Sequence, residues 1–321
     1  MKNEMTIEEL ALQIGRCPNF VQALNGEQNS CKEIVDSQFK EHEGGQFLTI
    51  SKKSVFHTPE PWAGNLQSAK IMFLSSNPSI DSMEIFPNLT WPEPEMLDFY
   101  LNRFSSDPNR KYGATEGSNI KEFDRTILSS GISPKRVKTW KVLRDRAAVL
   151  LEKQPEQTSA TSDYVMTEVV HCKSKKEVGV NSALSVCVSK WFESILTLSA
   201  AKLIIVSGDR AGVAAKTALS TLSKGHVELG EFWGSWKRKP KAMGKWPILN
   251  SQLSEWHAKG IWDRKEQMNH IEVKRLSLNG REREFCFVWM PHPARWQTPQ
   301  RFGDPALYSS EVLRYLRDYL K

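Results

Sequence analysis

Cysteine is scarce in this chain of 321 residues: there are five, an odd number, at wide intervals. That argues against a disulfide scaffold and for a reducing compartment, so a cytoplasmic protein is expected. No apolar run approaches the roughly 20 residues that a membrane-spanning helix needs, and no membrane partner is expected. The N-terminal Met1-Lys2-Asn3-Glu4 leads into an amphipathic stretch with acidic residues, which does not read as a secretory signal. Short internal repeats and low-complexity tracts are missing, so a repeat array is excluded. With 40% hydrophobic and 25% charged residues, the chain is expected to fold rather than remain disordered.

Positive charge is in modest excess, 44 Lys and Arg against 37 Asp and Glu, and it is uneven. Between Glu231 and Lys265 there are eight Lys or Arg, three Asp or Glu, and five of the eleven tryptophans. Interleaved cations and aromatic rings suit a nucleic-acid groove, where cations follow phosphates and rings stack on bases. An irregular insertion that packs its own tryptophans and exposes its lysines has the same composition.

Four short apolar runs read as buried strands: Lys70 to Leu74, Tyr164 to Val170, Lys202 to Val206 and Glu284 to Met290. Trp140 to Lys153, Ala183 to Leu198 and Leu307 to Leu320 repeat apolar residues at helical spacing. This alternation predicts an α/β fold, with a mainly parallel sheet and helices on both faces. Residues 222–282 are the least regular part and read as a long insertion before the last strand. In such sheets, chemistry gathers at the carboxyl ends of the strands. There stand Ser75-Ser76-Asn77-Pro78-Ser79, Thr167-Glu168-Val169-Val170-His171-Cys172, Ser207-Gly208-Asp209-Arg210 and Pro291-His292-Pro293-Ala294-Arg295.

In order and context these segments resemble the uracil-DNA glycosylase superfamily. Ser75 to Ser79 is similar to its first motif, with Asn77 at the catalytic amide position. Pro291 to Arg295 is similar to its second, with His292 at the leaving-group position. Thr167 to Ser174, Cys187 and the Lys202 to Ala211 segment look like its iron–sulfur branch. The resemblance covers roughly residues 69–295 and leaves the 222–282 insertion unmatched. It implies one domain over 1–321: a three-layer α/β/α sandwich on a central four-stranded, mainly parallel sheet, with an N-terminal segment at 1–60. It also implies a monomeric DNA glycosylase that flips a base out of DNA and hydrolyses its N-glycosidic bond.

In that reading Asn77 positions water, His292 stabilises the departing base, and Phe86 stacks beneath the flipped base, with Ser76 and Ser79 at its edge. Phe86 fits a core aromatic nearly as well. Arg295 or Trp296 fills the gap in the duplex. Lys237, Arg238, Lys239 and Lys241 meet DNA backbone, and Trp233 and Trp236 offer faces for a sugar. Glu168 departs from the branch, which carries an Asn here to read uracil. An ionised carboxylate only accepts hydrogen bonds and suits the amino group of cytosine rather than O4 of uracil. Burial would instead leave a neutral acid that donates to the cytosine ring nitrogen. A modified cytosine is therefore the expected substrate. The chain accordingly looks similar to anti-phage glycosylases that remove glucosylated hydroxymethylcytosine. A conventional uracil-DNA glycosylase and a non-catalytic DNA-binding module are the alternatives.

Cys172 and Cys187 match the branch's second ligand pair. Its first pair is a close Cys-x-x-Cys, whereas Cys17 and Cys31 stand fourteen apart. The resemblance implies a [4Fe–4S] cluster on these four thiolates; a zinc site would use the same ligands, and four unrelated thiols are the other reading. Cys286, inside an apolar strand, reads as core packing.

Overall fold

The structure, a computed structural model, describes residues 5–43, 56–80, 86–104, 125–128, 131–136, 138–222, 271–290 and 310–321. Three helices open the chain: α1 (Ile7–Gly15), α2 (Pro18–Leu24) and α3 (Lys32–Glu43). Thr6 starts α1 with a capping box, its hydroxyl taking the Glu9 amide while the Glu9 carboxylate takes the Thr6 amide. Then come β1 (Ala63–Gly64), β2 (Ile71–Ser75), α4 (Glu93–Asn102), β3 (Arg125–Leu128), β4 (Gly131–Arg136) and α5 (Lys138–Leu151). The chain continues through β5 (Tyr164–Glu168), α6 (Val180–Leu198), β6 (Leu203–Ser207), α7 (Asp209–Leu222), β7 (Ile271–Leu278), β8 (Arg281–Met290) and α8 (Ser310–Asp318).

Among the described residues, the fold is mixed α/β around a six-stranded mixed sheet of order β1-β5-β2-β6-β8-β7, and β3 and β4 form a separate antiparallel pair. Pairs β5–β2, β2–β6 and β6–β8 are parallel, while the edge strands β1 and β7 are antiparallel to their neighbours. The four predicted apolar runs are these inner strands. Their central residues are apolar on consecutive positions because both faces are covered. Met72, Leu74, Val165, Ile204, Val206 and Phe287 join one core with Leu10, Phe20, Ile34, Phe99, Trp191 and Ala215. Ile71, Phe73, Tyr164, Leu203, Ile205 and Val288 join another with Leu143 and Ala147 of α5 and Val312 and Leu316 of α8. Cys286 belongs to this second core and is buried.

The expectation of four strands is corrected to six. Residues 271–278, read as part of an irregular insertion, form β7, an edge strand only partly buried over most of its length. Its charged Glu272, Lys274 and Arg275 hide the apolar signal, but Asn279-Gly280 makes the turn to β8. Both residues have positive φ, 48° and 79°, as a tight two-residue hairpin requires. Helix ends are closed from the sheet. Arg283 of β8 donates to the carbonyls of Leu196 (2.7 Å), Thr197 (3.1 Å) and Ser199 (2.8 Å), satisfying the C-terminus of α6. No helix among the described residues is long and apolar enough to cross a membrane.

Two glycines separate backbone strain from crowding. Gly280→Ala is expected to cost about 1 kcal/mol, because its positive φ disfavours a side chain that has nothing to meet. Gly179→Ala, at φ 74° before α6, is expected to cost clearly more: its Cβ would stand 2.7 Å from Ile34 in α3. Urea unfolding of the two variants checks that order.

Candidate functional site

The strand order turns at β2, which has β5 on one side and β6 on the other. In open α/β sheets, the carboxyl ends of strands at such a turn in the order are where ligands gather, in the crevice between the outgoing loops. The β2–β5 ladder continues past both strands, with the Val169 amide on the Ser75 carbonyl and the Val170 amide on the Ser76 carbonyl, both at 3.0 Å. This keeps the turn after β2 against the loop after β5.

Asn77 is half-buried in that turn. Its Nδ2 donates to the Pro78 carbonyl and Ser174 Oγ, both at 3.0 Å, with longer contacts of 3.4 Å to the carbonyls of Cys172 and Ser174. With the nitrogen committed to the loop, Oδ1 is the acceptor the amide still offers. Ser76 is buried and donates to Glu177, which is paired with Arg210 at the start of α7. Lys176 and Glu177 hold left-handed φ of 54° and 59°, so this loop keeps a costly shape at the crevice. Ser79 is exposed.

Glu168 ends β5, is 2% exposed, and has an Oε2 with no hydrogen-bond partner among the described residues. Burial, reinforced by the Glu60 carboxylate, raises its pKa well above the usual carboxylate range, against the opposing pull of Lys173 and Arg103. Glu60 is equally buried, but its two oxygens meet Lys173 Nζ (2.9 Å) and Arg103. Burial alone would raise its pKa; Arg103 and then Lys173 outweigh that and hold it at about 2. The Glu60 amide donates to the His171 carbonyl, and His171 Nδ1 meets the Glu60 carbonyl, both at 2.8 Å. The latter assigns the proton to Nδ1.

Phe86 is 5% exposed and belongs to the core. Its ring stacks on His57 at 5.2 Å, meets Phe99 edge-on at 5.1 Å, and carries the Lys173 ammonium 3.9 Å from its centroid. The structure thus places it beside the charged cluster under the crevice.

Neither Glu60 nor Arg103 was singled out in the sequence, and Lys173 only as part of a motif. The available signals were a Glu between two prolines, Pro59-Glu60-Pro61, and a Lys directly after a buried strand and loop.

Cys17 caps the start of α2, Cys31 precedes α3, Cys172 follows β5, and Cys187 lies within α6; all four are buried and unpaired by disulfides. Their thiols lie within electrostatic reach of one another. A hydrogen bond to Cys172 lowers Cys31 to about 7, and the same bond, with burial, raises Cys172 well above the thiol range. Burial, then the charges of Cys31 and Cys17, push Cys187 up to about 12. The fourteen-residue spacing closes because α2 folds between the two cysteines. Asn29 buckles the return, donating to the Asn19 carbonyl (2.8 Å) and accepting from the Cys31 amide (2.9 Å). Among the described residues, no group of three or more His, Cys, Asp and Glu is set to hold a single metal ion. A polar cavity of about 670 Å³ lies by Ser30, Glu33, Lys176 and Ser182, and neither Asn77 nor Glu168 lines it.

His292, Arg295, Trp296, Lys237, Arg238, Lys239, Lys241, Trp233 and Trp236 lie outside the described residues. β8 is described to Met290, in register with Ser207 of β6.

Burial lowers the His171 pKa from 6.5 to about 4, so it stays neutral in the fold while the unfolded chain takes up its proton first. Its contribution to stability is complete above pH 6.5 and is lost as pH falls toward 4. Glu60 adds a second loss as pH falls from 4.5 toward 2. His171→Asn is expected to remove the upper step and keep the lower one, measured as urea midpoint against pH. Comparison with protein-family models and with curated proteins finds no match to this chain.

Proposed function

We propose that this protein is a monofunctional DNA glycosylase on a three-layer α/β/α sandwich, acting on a modified cytosine such as glucosylated hydroxymethylcytosine in phage DNA. The observation that carries this reading is Glu168, a buried carboxyl group with an unpartnered oxygen, one strand away from the Asn77 turn. An unsatisfied polar atom in such a place calls for a ligand.

Its environment alters the expected recognition. Of the two forms that disfavour uracil, the ionised carboxylate and the neutral acid, burial and Glu60 favour the neutral acid. A neutral acid pairs with either base edge, but it can hand a proton only to a ring nitrogen with a free lone pair. Cytosine N3 has one, whereas uracil N3 already bears hydrogen. Protonating the departing base relieves the charge that makes departure difficult. Asn77 Oδ1 would accept from the attacking water and aim it at the sugar carbon, and His292 would assist the leaving group. Arg295 or Trp296 would fill the emptied stack. Lys237, Arg238, Lys239 and Lys241 would hold phosphates, and Trp233 and Trp236 would face the sugar on the base. These motifs place no lysine for a Schiff base, so strand cleavage is not part of the proposal.

Cys17, Cys31, Cys172 and Cys187 are proposed to hold a [4Fe–4S] cluster, zinc being the alternative. What supports this is donor chemistry: four buried thiols with no disulfide, within electrostatic reach of one another. The role is structural, tying α2 and α3 to α6 and to the loop after β5.

Abasic sites counted after incubation with glucosylated, uracil-containing and unmodified DNA test the activity. Sites are expected in the glucosylated DNA alone, with Asn77→Ala lower by on the order of 10²–10⁴-fold. Sites in uracil DNA alone would establish ordinary repair instead. DNA binding without sites in any of the three would leave a binding module.

Anaerobically purified protein is expected to contain iron and acid-labile sulfide, both lost in Cys172→Ser together with thermal stability. Stoichiometric zinc in place of iron would settle the alternative.

A further inference from the structure

Glu168 has two cations within electrostatic reach, Lys173 and Arg103, yet neither satisfies its Oε2. Among the described residues, the buried Nη1 of Arg103 also has no hydrogen-bond partner, so the two groups are not paired with each other. Glu60 accounts for this. One of its oxygens takes Lys173 Nζ at 2.9 Å and the other takes Arg103, and all three side chains are about nine-tenths buried or more. Glu60 is in turn fixed by its two 2.8 Å backbone contacts with His171, and the Thr167 hydroxyl donates to the next carbonyl, Pro61, at 2.9 Å. The 60–61 segment is therefore stitched to both ends of the Glu168 loop. The Phe86 ring under Lys173 further confines the ammonium.

We infer that Glu60 is a positioning residue that holds Arg103 and Lys173 away from Glu168, so that the site meets a base with an undissociated carboxyl group and selects one whose ring nitrogen is a bare acceptor. The inference rests on the glycosylase reading for the identity of that base. In the step it serves, the Glu168 O–H bond breaks and its proton joins N3 of the cytosine. The electron pair of the C1′–N1 bond leaves with N1, so the base departs as a neutral tautomer. Water oxygen bonds to C1′, and the proton that water loses returns to the Glu168 carboxylate through solvent. The sum is hydrolysis, with no other reactant. Without the Glu60 charge, the two cations would face Glu168 and draw it into its anion, which accepts hydrogen bonds but delivers no proton.

Carbon-13 NMR of glutamate-labelled protein tests the electrostatic claim without substrate, with the Glu168 carboxyl assigned by its absence in Glu168→Gln. At neutral pH the wild-type signal is expected at the protonated position, in Glu60→Gln at the ionised position, and in Glu60→Asp at the protonated position again. Should Glu60→Gln fail to fold, Glu60→Gln with Arg103→Met removes a stranded cation together with the carboxylate. Lys173 then still faces Glu168, and ionisation is again expected. The same protonation state with and without Glu60 charge would overturn the inference.

The catalytic consequence is read from single-turnover excision on glucosylated-hydroxymethylcytosine DNA. The alkaline limb of the pH profile is expected at lower pH in Glu60→Gln, costing about tenfold in rate above it for each unit moved. A uniform loss at every pH would mark Glu60 as merely structural and overturn the claim. Inactive wild-type protein with the NMR result intact would remove the glycosylase reading and leave the charge arrangement standing.

Discussion

A carboxylate buried between two cations is the constraint around which this crevice is arranged. Placing Glu60, Lys173 and Arg103 out of water is costly, and the cost is offset only if each charge is closely met. Meeting it requires three separate stretches to converge: the proline-flanked segment before β1, the end of α4, and the loop after β5. Once they do, the backbone of Glu60 is held at both its amide and its carbonyl by the His171 carbonyl and imidazole, each at 2.8 Å. The carboxyl of Glu168 is then left beside a cluster in which Glu60 already takes both cations.

The sheet decides where this happens. Both faces of the inner parallel strands are spent on packing, so polar side chains find room at the strand ends. Asn77 stands where the ladder between β2 and β5 runs out, and its amide nitrogen binds the outgoing loop at Pro78 and Ser174. Cys172 lies in that same loop, between Glu168 and Ser174. The proposed cluster would therefore act on the segment that carries the candidate chemistry, stiffening it without touching a substrate.

The inner strands were legible because burial on two faces writes itself into consecutive residues, as in Leu203-Ile204-Ile205-Val206. The Asn77 turn, Glu168 and the four cysteines were legible through their order along the chain. β7 was not, since an edge strand such as Ile271 to Leu278 alternates charged with apolar residues and needs only one partner. Its clue is local: Asn279-Gly280, whose conformational tolerance permits the hairpin.

What the sequence by itself determined, then, is whatever depends on near neighbours: buried strands, capped helices, tight turns and the kinds of reactive group present. Only the tertiary structure decided how those groups behave. Glu60, Arg103 and Lys173 are separated by tens of residues, and nothing in their spacing announces that they meet. Their meeting holds the Glu60 pKa down while that of Glu168 is raised, because a buried carboxyl group is governed by whichever cations the fold brings against it.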